Sequence, residues 1–497
     1  MSITAYQSQK LCRFINTLFL NLSHGLAEIV YTMSGVTTIT WERTGRTDMP
    51  KRDTKLQKLS ETIHITVEEL RGLGVEGLDR LFMEEYLMQA EKLTDSRQQV
   101  KVRHSLKDII GIVFFAVLAG NDEWTDIADF AVDERQTLQK YLELPNGIPS
   151  HDTMQRVFFI LRPEEVQDML VNILVQMATA AGKGLEEYLY KNEELDCYIR
   201  DVIAADGKET HNTGKKKSED AAGRRNLQEF NVMSTEWGIS LSTTRIDEKS
   251  NEIPQMQKVM RQIDCRGCIV TADAMNTQKA TAETIIKQAQ GDYCLALKGN
   301  QGTVCQEVKE YFACEELLEK IMKKEGQYFR EEEKRTYETV IREYFITDDL
   351  EWFEEREAWE KLQSIGYERK TITKKETGET TVEERYYLCS IKPIAELFGI
   401  AVRRHWHIEN GLHWVLDIVF REDRLRSKEK NGIHNLGLIR RFVMFIMKLL
   451  KVYYNRSMKR IRAKIGRNLE KEIPVILAVM KVLYDNDMLE AIDELAK

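Results

Sequence analysis

The sequence predicts an α/β protein in which a mixed sheet carries packed helices, preceded by a separate helical region. Two observations support this class. Residues 197–300 contain three short β-rich runs and then alternate between helical and β-rich runs. Between about 90 and 190 the apolar residues instead recur at helical spacing, as in SLKDIIGIVFFAVLAG (105–120). A chain of 497 residues is long enough for two to four such domains.

The N-terminal part divides into an extension with a linker (1–85) and a helical domain (86–190) that we associate with DNA binding. The apolar run FINTLFLNL (14–22) is interrupted by Asn16 and Asn21, and no small-residue cleavage site follows it. We therefore expect neither a signal peptide nor a membrane anchor. Within the helical domain, LPNGIPSHDT (144–153) is a turn-rich joint, and Ser150 or Asp152 can cap the helix that follows.

The first part of the predicted core spans residues 191–304. CYIRDVIAADG (197–207) is a strand, and FNVMSTEWGISLSTTRID (230–247) contains two more around a turn at Trp237 and Gly238. CIVTADAM (268–275) and DYCLALKGN (292–300) are further strands, each preceded by a helical run. This order predicts one mixed sheet with helices packed on it.

Residues 305–400 break the alternation and predict an insertion with its own small sheet. Acid-rich helical segments come first, followed by the β-rich runs TYETVIREYFIT (336–347) and TITKKETGETTVEERYYLCSI (371–391), the second turning at Gly378. Residues 401–450 then supply the closing helices of the core. Residues 451–497 form a basic helical tail.

Charge is segregated along the chain, although the formal net charge is −8. Residues 439–468 contain no acid and ten basic residues: Arg440, Arg441, Lys448, Lys451, Arg456, Lys459, Arg460, Arg462, Lys464 and Arg467. Such asymmetry suits a protein with one face on nucleic-acid phosphates, and a solvated basic helix face is the alternative.

The eight cysteines do not form a disulfide framework, which favours a reducing, cytoplasmic compartment. Cys265 and Cys268 have the spacing of a metal or redox pair, but no second pair accompanies them. We interpret both as small residues that fill strand positions.

Three carboxylates are the candidate chemical centre. Two apolar strand runs end in Asp206 and Asp273, and neighbouring aspartates at one sheet edge repel unless a cation lies between them. Mg²⁺ prefers carboxylate oxygens. Glu409, in HWHIENGLHWVLDIVF (405–420), can complete a site for two metal ions.

Two alternatives to this metal site were considered. An aspartate at a strand end can simply cap a turn, as Asp206 before Gly207 could do. A zinc site on His405, Glu409 and His413 is disfavoured, because ligands at i, i+4 and i+8 diverge around a helix.

Several motifs together resemble the DDE insertion-sequence transposases of the ISAs-one type, the group of the H-repeat-associated proteins. They occur in the family's order between residues 85 and 450, and the set comprises VFFAVLAGNDEWTDIADFA, LPNGIPSHDTMQRVF, IAADGK, VTADAMNTQ, DYCLALKGNQ, SIGYE with ERYYLCS, and HWHIENGLHWVLDIVFREDRLR.

The resemblance implies an RNase H-like mixed sheet with flanking helices, interrupted by a small β-rich insertion before the last acid. By the same resemblance, Asp206, Asp273 and Glu409 are the catalytic acids and hold two Mg²⁺ (or Mn²⁺) ions. Related transposases often have an arginine four residues before this glutamate and a lysine after it, whereas this chain has His405 before it and Leu416 and Asp417 after it. The expected nucleic-acid contacts are Lys208, Lys298, His405, Arg421, Arg426, Arg440 and Arg441.

The implied activity is metal-dependent cleavage of DNA at insertion-sequence ends, followed by strand transfer into target DNA. The expected partners are double-stranded DNA, as terminal inverted repeats and as target, and a second copy of the chain in a dimer or larger synaptic complex. We expect no membrane partner and a cytoplasmic, nucleoid-associated protein. Two alternatives stay open: a catalytically silent DNA-binding protein derived from a transposase, and an RNase H-like nuclease without strand joining.

Overall fold

The structure, a computed structural model, describes residues 75–180, 188–214, 225–247, 250–425, 427–454 and 456–484. Most of the predicted N-terminal extension (1–85), including FINTLFLNL, lies outside the described residues, as do Arg426 and residues 215–224. The chain divides into two compact units, and the described part of the first comprises residues 188–208, 228–247 and 250–413. The second unit combines the N-terminal helices with residues near 209–227 and from 414 onward. The domain boundaries expected from the sequence stay a prediction.

Two of the N-terminal helices of the second unit begin at serine caps. Ser105 Oγ accepts a hydrogen bond from the Asp108 amide, and the same helix stops at Gly120, whose φ is +103°. Ser150 Oγ accepts from the Thr153 amide at 3.3 Å, which confirms the predicted cap. The helices are α1 (Val75–Glu91), α2 (Leu106–Ala119), α3 (Trp124–Asp133), α4 (Arg135–Leu138), α5 (His151–Ile160) and α6 (Pro163–Ala180).

A nine-stranded mixed sheet forms the centre of the first unit, with the strand order β5-β4-β3-β6-β7-β11-β10-β9-β8. Strands β3, β6 and β7 are parallel, with Ala205 opposite Ala272. The strands are β3 (Asp201–Thr210), β4 (Leu227–Ser234), β5 (Ile239–Arg245), β6 (Cys268–Ala272), β7 (Asp292–Leu297), β8 (Tyr328–Lys334), β9 (Glu338–Thr347), β10 (Ser364–Lys374) and β11 (Thr380–Cys389). Two short strands, β1 (Tyr190–Asn192) and β2 (Cys197–Ile199), pair separately.

The prediction of a separate small sheet for residues 305–400 is wrong. Strand β11 pairs antiparallel with β7, placing Cys389 opposite Cys294, and β10, β9 and β8 continue from there. The physical reason is that β7 would otherwise expose an edge of unpaired backbone donors and acceptors, which β11 satisfies. The predicted turn at Gly378, with φ +70°, is confirmed between β10 and β11.

Helices cover both faces of this sheet. They are α7 (Glu252–Met260), α8 (Lys279–Thr284), α9 (Thr303–Ala313), α10 (Glu315–Lys323) and α11 (Ala395–Ile408). On one face, Val202 and Ile269 pack with Phe398 of α11. On the other, Ile203 and Val270 pack with Met256 of α7. Because successive strand residues point to opposite faces, one strand run anchors helices on both sides.

The C-terminal helices belong to the second unit and pack with its N-terminal helices. They are α12 (Trp414–Ile418), α13 (Lys430–Tyr454), α14 (Met458–Arg467) and α15 (Leu469–Tyr484). Helix α13 packs on α5 and α6, and α15 packs on α1. In the described part of the chain, no helix combines the length and the apolar character that crossing a membrane requires.

Candidate active site

The pairing of two parallel strands brings Asp206 and Asp273 to the same place. Because Ala205 of β3 lies opposite Ala272 of β6, the residue that follows each alanine emerges at neighbouring positions. Carboxylate oxygens of Asp206 and Asp273 lie within 4.8 Å of one another, together with a third carboxylate discussed below. Both aspartates are half-buried. The structure therefore brings together the two acids predicted at strand ends.

Glu409 reaches Asp206 from a wide helical turn. Helix α11 ends at Ile408, and residues Glu409–His413 form a π turn before α12 begins. Ligand atoms of Asp206, Glu409 and His413 lie within 4.8 Å of one another. The His413 Nδ1 atom is 3.6 Å from Asp206 Oδ2 and 3.9 Å from Glu409 Oε2. A π turn therefore stands where the sequence pattern predicts regular α-helical turns, and such π turns often occur at functional sites.

The third carboxylate beside Asp206 and Asp273 is Glu252, which the sequence reasoning missed. Glu252 begins α7, after the helix cap Asn251. Its carboxylate lies within 4.8 Å of oxygens from both aspartates. In the sequence, an acid in the first turn of a helix is common because it favours the helix dipole, so nothing distinguished Glu252. Only the tertiary placement of α7 reveals it.

A network of amides holds the loop after β6. The Asn276 side-chain amide donates to Asp273 Oδ1 at 2.8 Å and to Glu252 Oε2 at 3.2 Å. Asn300 donates its amide to the Ala274 carbonyl at 2.8 Å, and Gln301 donates to the same carbonyl. The KGNQ segment after β7 therefore clamps the loop that carries Asp273.

The carboxylates perturb one another's ionisation. Burial and the neighbouring Glu409, Asp273 and Glu252 raise the pKa of Asp206 well above its ordinary value. Burial, and then Asp273, raise the pKa of Glu252. The adjacent His413 imidazole lowers the pKa of Glu409. A concentration of negative charge of this kind needs a cation to be stable in its ionised form.

The residues present fit a divalent cation. The donor set consists of four carboxylates and one imidazole, which are ligands for Mg²⁺, Mn²⁺ and similar ions. Gly207 provides room, because a Cβ atom there would overlap the Glu252 carboxylate. His413 is buried, with 6% of the residue exposed, and its Nε2 atom has no hydrogen-bond partner in the described part of the chain.

His405, predicted to contact DNA, is half-buried beside the strand that leads to Asp273. Its Nδ1 atom lies 3.1 Å from Thr271 Oγ1, on the strand that leads to Asp273. Burial lowers the pKa of His405 to about 4, so the ring is neutral at physiological pH. The predicted contact of His405 with DNA stays a prediction, and the described contact of its Nδ1 atom is with Thr271.

The other predicted DNA contacts fall into exposed and buried groups. Lys298 and Arg421 are exposed, and either can reach a phosphate. The side chain of Lys208 is 6% exposed. Arg440 and Arg441 are 0% and 4% exposed on α13, facing Glu422 at 3.8 and 3.6 Å. Because Lys208, Arg440 and Arg441 are buried, the structure does not present their side chains at the surface, and their contacts with DNA stay a prediction.

Comparisons with known proteins show which family the chain resembles. The family described as "Transposase DDE domain" matches residues 198–446, and "DDE_Tnp_1-associated" matches residues 88–173. Two proteins of Escherichia coli (strain K12), "Putative protein YbfL" and "H repeat-associated putative transposase YhhI", are each 31% identical over 386 residues, covering 76% of this chain and 94% of the relative. A solved piggyBac transposase synaptic complex with hairpin DNA aligns with a TM-score of 0.35 at 10% identity, covering 84% of this chain and 83% of that one.

The DDE-domain match spans half of the chain, and its range contains the four carboxylates and His413. The H-repeat relatives are covered almost end to end. The chain therefore belongs to the DDE transposase family, in its H repeat-associated group, and its function is that of a transposase.

Proposed function

We propose that the protein cuts DNA at the ends of an insertion sequence and joins the freed 3′ ends to target DNA. In this proposal Asp206, Asp273 and Glu409 are the catalytic acids and hold two Mg²⁺ or Mn²⁺ ions. The observation that carries the proposal is that Asp273, at a strand end, and Glu409, in a π turn, both lie beside Asp206 of β3. When bound, the ions supply charge neutralisation and an activated water for attack on a phosphodiester.

The proposal includes an RNase H-like core. Five neighbouring strands support it, because the order β5-β4-β3-β6-β7 numbers as 3-2-1-4-5 in chain order. The first acid lies on the central strand and the second follows its parallel neighbour β6. In open sheets with parallel strands, ligands collect outside the carboxyl ends of those strands.

The chain's own residues position the reacting groups. Asp206 is central, because it belongs to both groups of three possible ligands, one with Asp273 and Glu252 and the other with Glu409 and His413. The Asn276 amide fixes the Asp273 carboxylate, and the Thr271–His405 contact joins the strand before Asp273 to helix α11 before Glu409. Preorganised positioning of this kind contributes much of the rate enhancement in phosphoryl transfer. A covalent protein–DNA intermediate is not required, since the freed 3′-OH is itself the next nucleophile.

The partner in this proposal is double-stranded DNA, bound as terminal inverted repeats and as target by a dimer or larger assembly. Exposed Lys298 and Arg421 are candidate phosphate contacts, as are the exposed basic residues of α14. We place this activity at the bacterial nucleoid, in the cytoplasm, where its substrate is found.

The test uses purified full-length protein, a DNA duplex that carries the element's own end, and Mg²⁺. The protein should nick the end and join it to a second duplex. Asp206→Asn, Asp273→Asn and Glu409→Gln should each lower the rate by about 10³-fold or more. Glu283→Gln, at an exposed position of α8, is the matched control and should retain activity.

Three outcomes would contradict parts of the proposal. Full activity of the Glu409→Gln variant would refute the assignment of that acid. Cleavage without joined products would select a nuclease that lacks strand transfer. DNA binding without any metal-dependent cleavage would select a silent member, a possibility raised by the resemblance of 63 residues, at 44% identity, to a relative named "Inactive transposase YbfQ".

A further inference from the structure

The Glu252 carboxylate is held in place by the same asparagine that holds Asp273, one of the acids implied by the family resemblance. The Asn276 side chain, which is 0% exposed, bridges its carboxylate to that of Asp273. The Asn276 backbone amide also donates to Asp273 Oδ1, at 3.3 Å. One buried asparagine therefore holds two carboxylates side by side, against the repulsion between them.

The environment of Glu252 contains negative charge that needs compensation. Burial and then Asp273 raise the pKa of Glu252, and the hydrogen bond from the Asn276 amide opposes this rise. Gly207 leaves space for the Glu252 carboxylate beside Asp206, where any side chain with a Cβ would displace it. This arrangement costs free energy unless a cation shares the three carboxylates Asp206, Asp273 and Glu252.

His413 gives the second three-donor group a different chemistry. Its Nδ1 atom is 3.6 and 3.9 Å from the nearest oxygens of Asp206 and Glu409, too far for a hydrogen bond. Donor atoms that are each about 2.0–2.2 Å from one ion lie about 3–4 Å apart, which matches these separations. The ring is buried and Nε2 has no hydrogen-bond partner among the described residues, so no such bond fixes its orientation.

We propose that the site binds its two divalent cations in unlike positions that share Asp206. One position is all-carboxylate and is completed by Asp273 and Glu252. The other is mixed and is completed by Glu409 and the His413 imidazole. This inference rests on the proposed function, since it concerns the ions of the same site, and it assigns ligand roles to Glu252 and His413 that the three-acid resemblance does not.

The two positions differ in the ions they favour. Carboxylates suit Mg²⁺, Ca²⁺ and Mn²⁺, whereas imidazole suits Mn²⁺ and the later transition metals better than it suits Mg²⁺. Mn²⁺ therefore satisfies both positions. Mg²⁺ is expected to bind the Glu252 position more tightly than the His413 position.

The experiment titrates full-length protein with Mn²⁺ and counts free ion by electron paramagnetic resonance. Two binding events are expected for the unchanged protein. Glu252→Gln should weaken one of them about tenfold or more, and His413→Gln should weaken the other by a similar factor. Asp206→Asn should weaken both, and Glu283→Gln should change neither. A cooperative thermal unfolding transition in EDTA, at a midpoint no lower than that of the unchanged protein, shows that each variant is folded.

A spectroscopic signature separates a ligand from a merely structural histidine. Pulsed electron paramagnetic resonance of bound Mn²⁺ should show coupling to a directly bound ¹⁴N nucleus. That coupling should persist in Glu252→Gln and disappear in His413→Gln. Absence of the nitrogen coupling in the unchanged protein would overturn the role of His413.

Two unaltered Mn²⁺ affinities in the Glu252→Gln variant would overturn the role of Glu252. These failures are distinguishable from failure of the proposed function. If the unchanged protein cuts its DNA end and Asp206→Asn does not, the proposed function stands even when either metal result is negative. If Asp206→Asn still cuts DNA, the proposed function fails whatever Glu252 and His413 bind.

Discussion

Gly207 lies directly against the Glu252 carboxylate, and a Cβ atom at residue 207 would overlap the carboxylate oxygens. The φ angle of Gly207 is not in the left-handed region that favours glycine, so the requirement is for space rather than for backbone freedom. The absence of a Cβ atom at residue 207 thus lets Glu252 lie beside Asp206, as the fourth carboxylate of the site.

Replacing Gly207 by alanine should displace Glu252 without unfolding the protein. The carboxylate is the flexible end of its side chain and can swing away, so we expect a loss of about 1 kcal/mol or less in the free energy of unfolding. The Mn²⁺ affinity of the Glu252 position should fall about tenfold. Urea unfolding in EDTA and a Mn²⁺ titration measure the two quantities.

Gly299→Ala is the control for this substitution, because a Cβ atom at residue 299 meets open space. The double variant Gly207→Ala with Glu252→Gln should bind Mn²⁺ as weakly as either single variant, since both changes remove the same ligand. Fully additive losses in the double variant would show that Gly207 acts on the site by another route.

Gln301 should act as a positioning residue for Asp273. Its amide donates to the Ala274 carbonyl and its oxygen accepts from the Lys298 amide at 2.9 Å. Gln301→Ala removes both bonds, and we expect a loss of about 1–3 kcal/mol in stability. The rate of DNA cleavage at saturating DNA should fall more than the affinity for DNA, because the Ala274 carbonyl that Gln301 holds adjoins Asp273, whereas the Lys298 side chain is already exposed.

Gln306→Ala is the matched control, since Gln306 is an exposed glutamine of α9 that contacts Glu310. Asn300→Ala removes one bond to the same Ala274 carbonyl and should have a smaller effect than Gln301→Ala. An unchanged cleavage rate in Gln301→Ala, at Mg²⁺ concentrations that do not saturate, would exclude the positioning role.

Local signals were sufficient to predict Asp273 at the end of a strand, whereas Asp206 lies within β3, which continues to Thr210. VIAAD and IVTAD are short apolar runs of the kind that predicts a buried strand. Each run ends in an acid that the structure places at the site. The turn at Gly238, with φ +68°, followed from the residue type in the same way. Patterns of a few residues suffice when the feature itself is local.

Features that depend on distant pairing could not be predicted. Glu252 reaches the site only because α7 packs on the sheet through Met256, a contact that no spacing in the sequence encodes. The pairing of β11 with β7 joins segments almost a hundred residues apart. The π turn at Glu409–His413 belongs to the same class, because the helical pattern of the sequence predicts regular turns there.

His405 should make the stability of the protein depend on pH. Its pKa is about 4 in the folded protein, below the ordinary value of about 6.5, so protonation favours the unfolded state. The stabilisation is fully present above pH 6.5 and is lost as the pH falls through 4, by about 3 kcal/mol in total. His405→Gln should remove this part of the decline, as measured by urea unfolding in EDTA between pH 7.5 and 4.

His151→Gln is the control for this measurement, because His151 is an exposed residue at the start of α5. Its stability curve should run parallel to that of the unchanged protein across the whole range. The same parallel behaviour in His405→Gln would show that His405 is not protonated differently in the folded and unfolded states.

Arg462 should be essential for the stability of the second unit. Its guanidinium pairs with both oxygens of Asp122, at 2.6 and 3.2 Å, and donates to the Val117 carbonyl. The side chain is almost fully buried, so Arg462→Met leaves Asp122 as a buried charge without its partner. We expect a loss of about 3–5 kcal/mol in the free energy of unfolding.

Adding Asp122→Asn to Arg462→Met should recover part of the loss, because the second change removes the isolated charge. Arg460→Met, at an exposed neighbouring position of α14, should cost well under 1 kcal/mol. If Arg462→Met and Arg460→Met destabilised the protein equally, burial of the Arg462 ion pair would not explain its contribution.

The exposed basic residues of α14 should contact DNA phosphates. Lys459, Arg460 and Arg467 fall within an arc of about 100° around the helix, away from the buried Arg462. Each phosphate contact adds about 0.9 to the slope of log affinity against log salt concentration. Changing all three residues to alanine should therefore weaken DNA binding and reduce the slope by about 2–3, as measured by fluorescence anisotropy between 50 and 300 mM salt.

A triple alanine variant at the exposed residues Lys323, Lys334 and Arg335 removes the same formal charge from the β-rich insertion. Equal reductions in slope for the two triple variants would show that net charge, and not contact by α14, governs DNA binding.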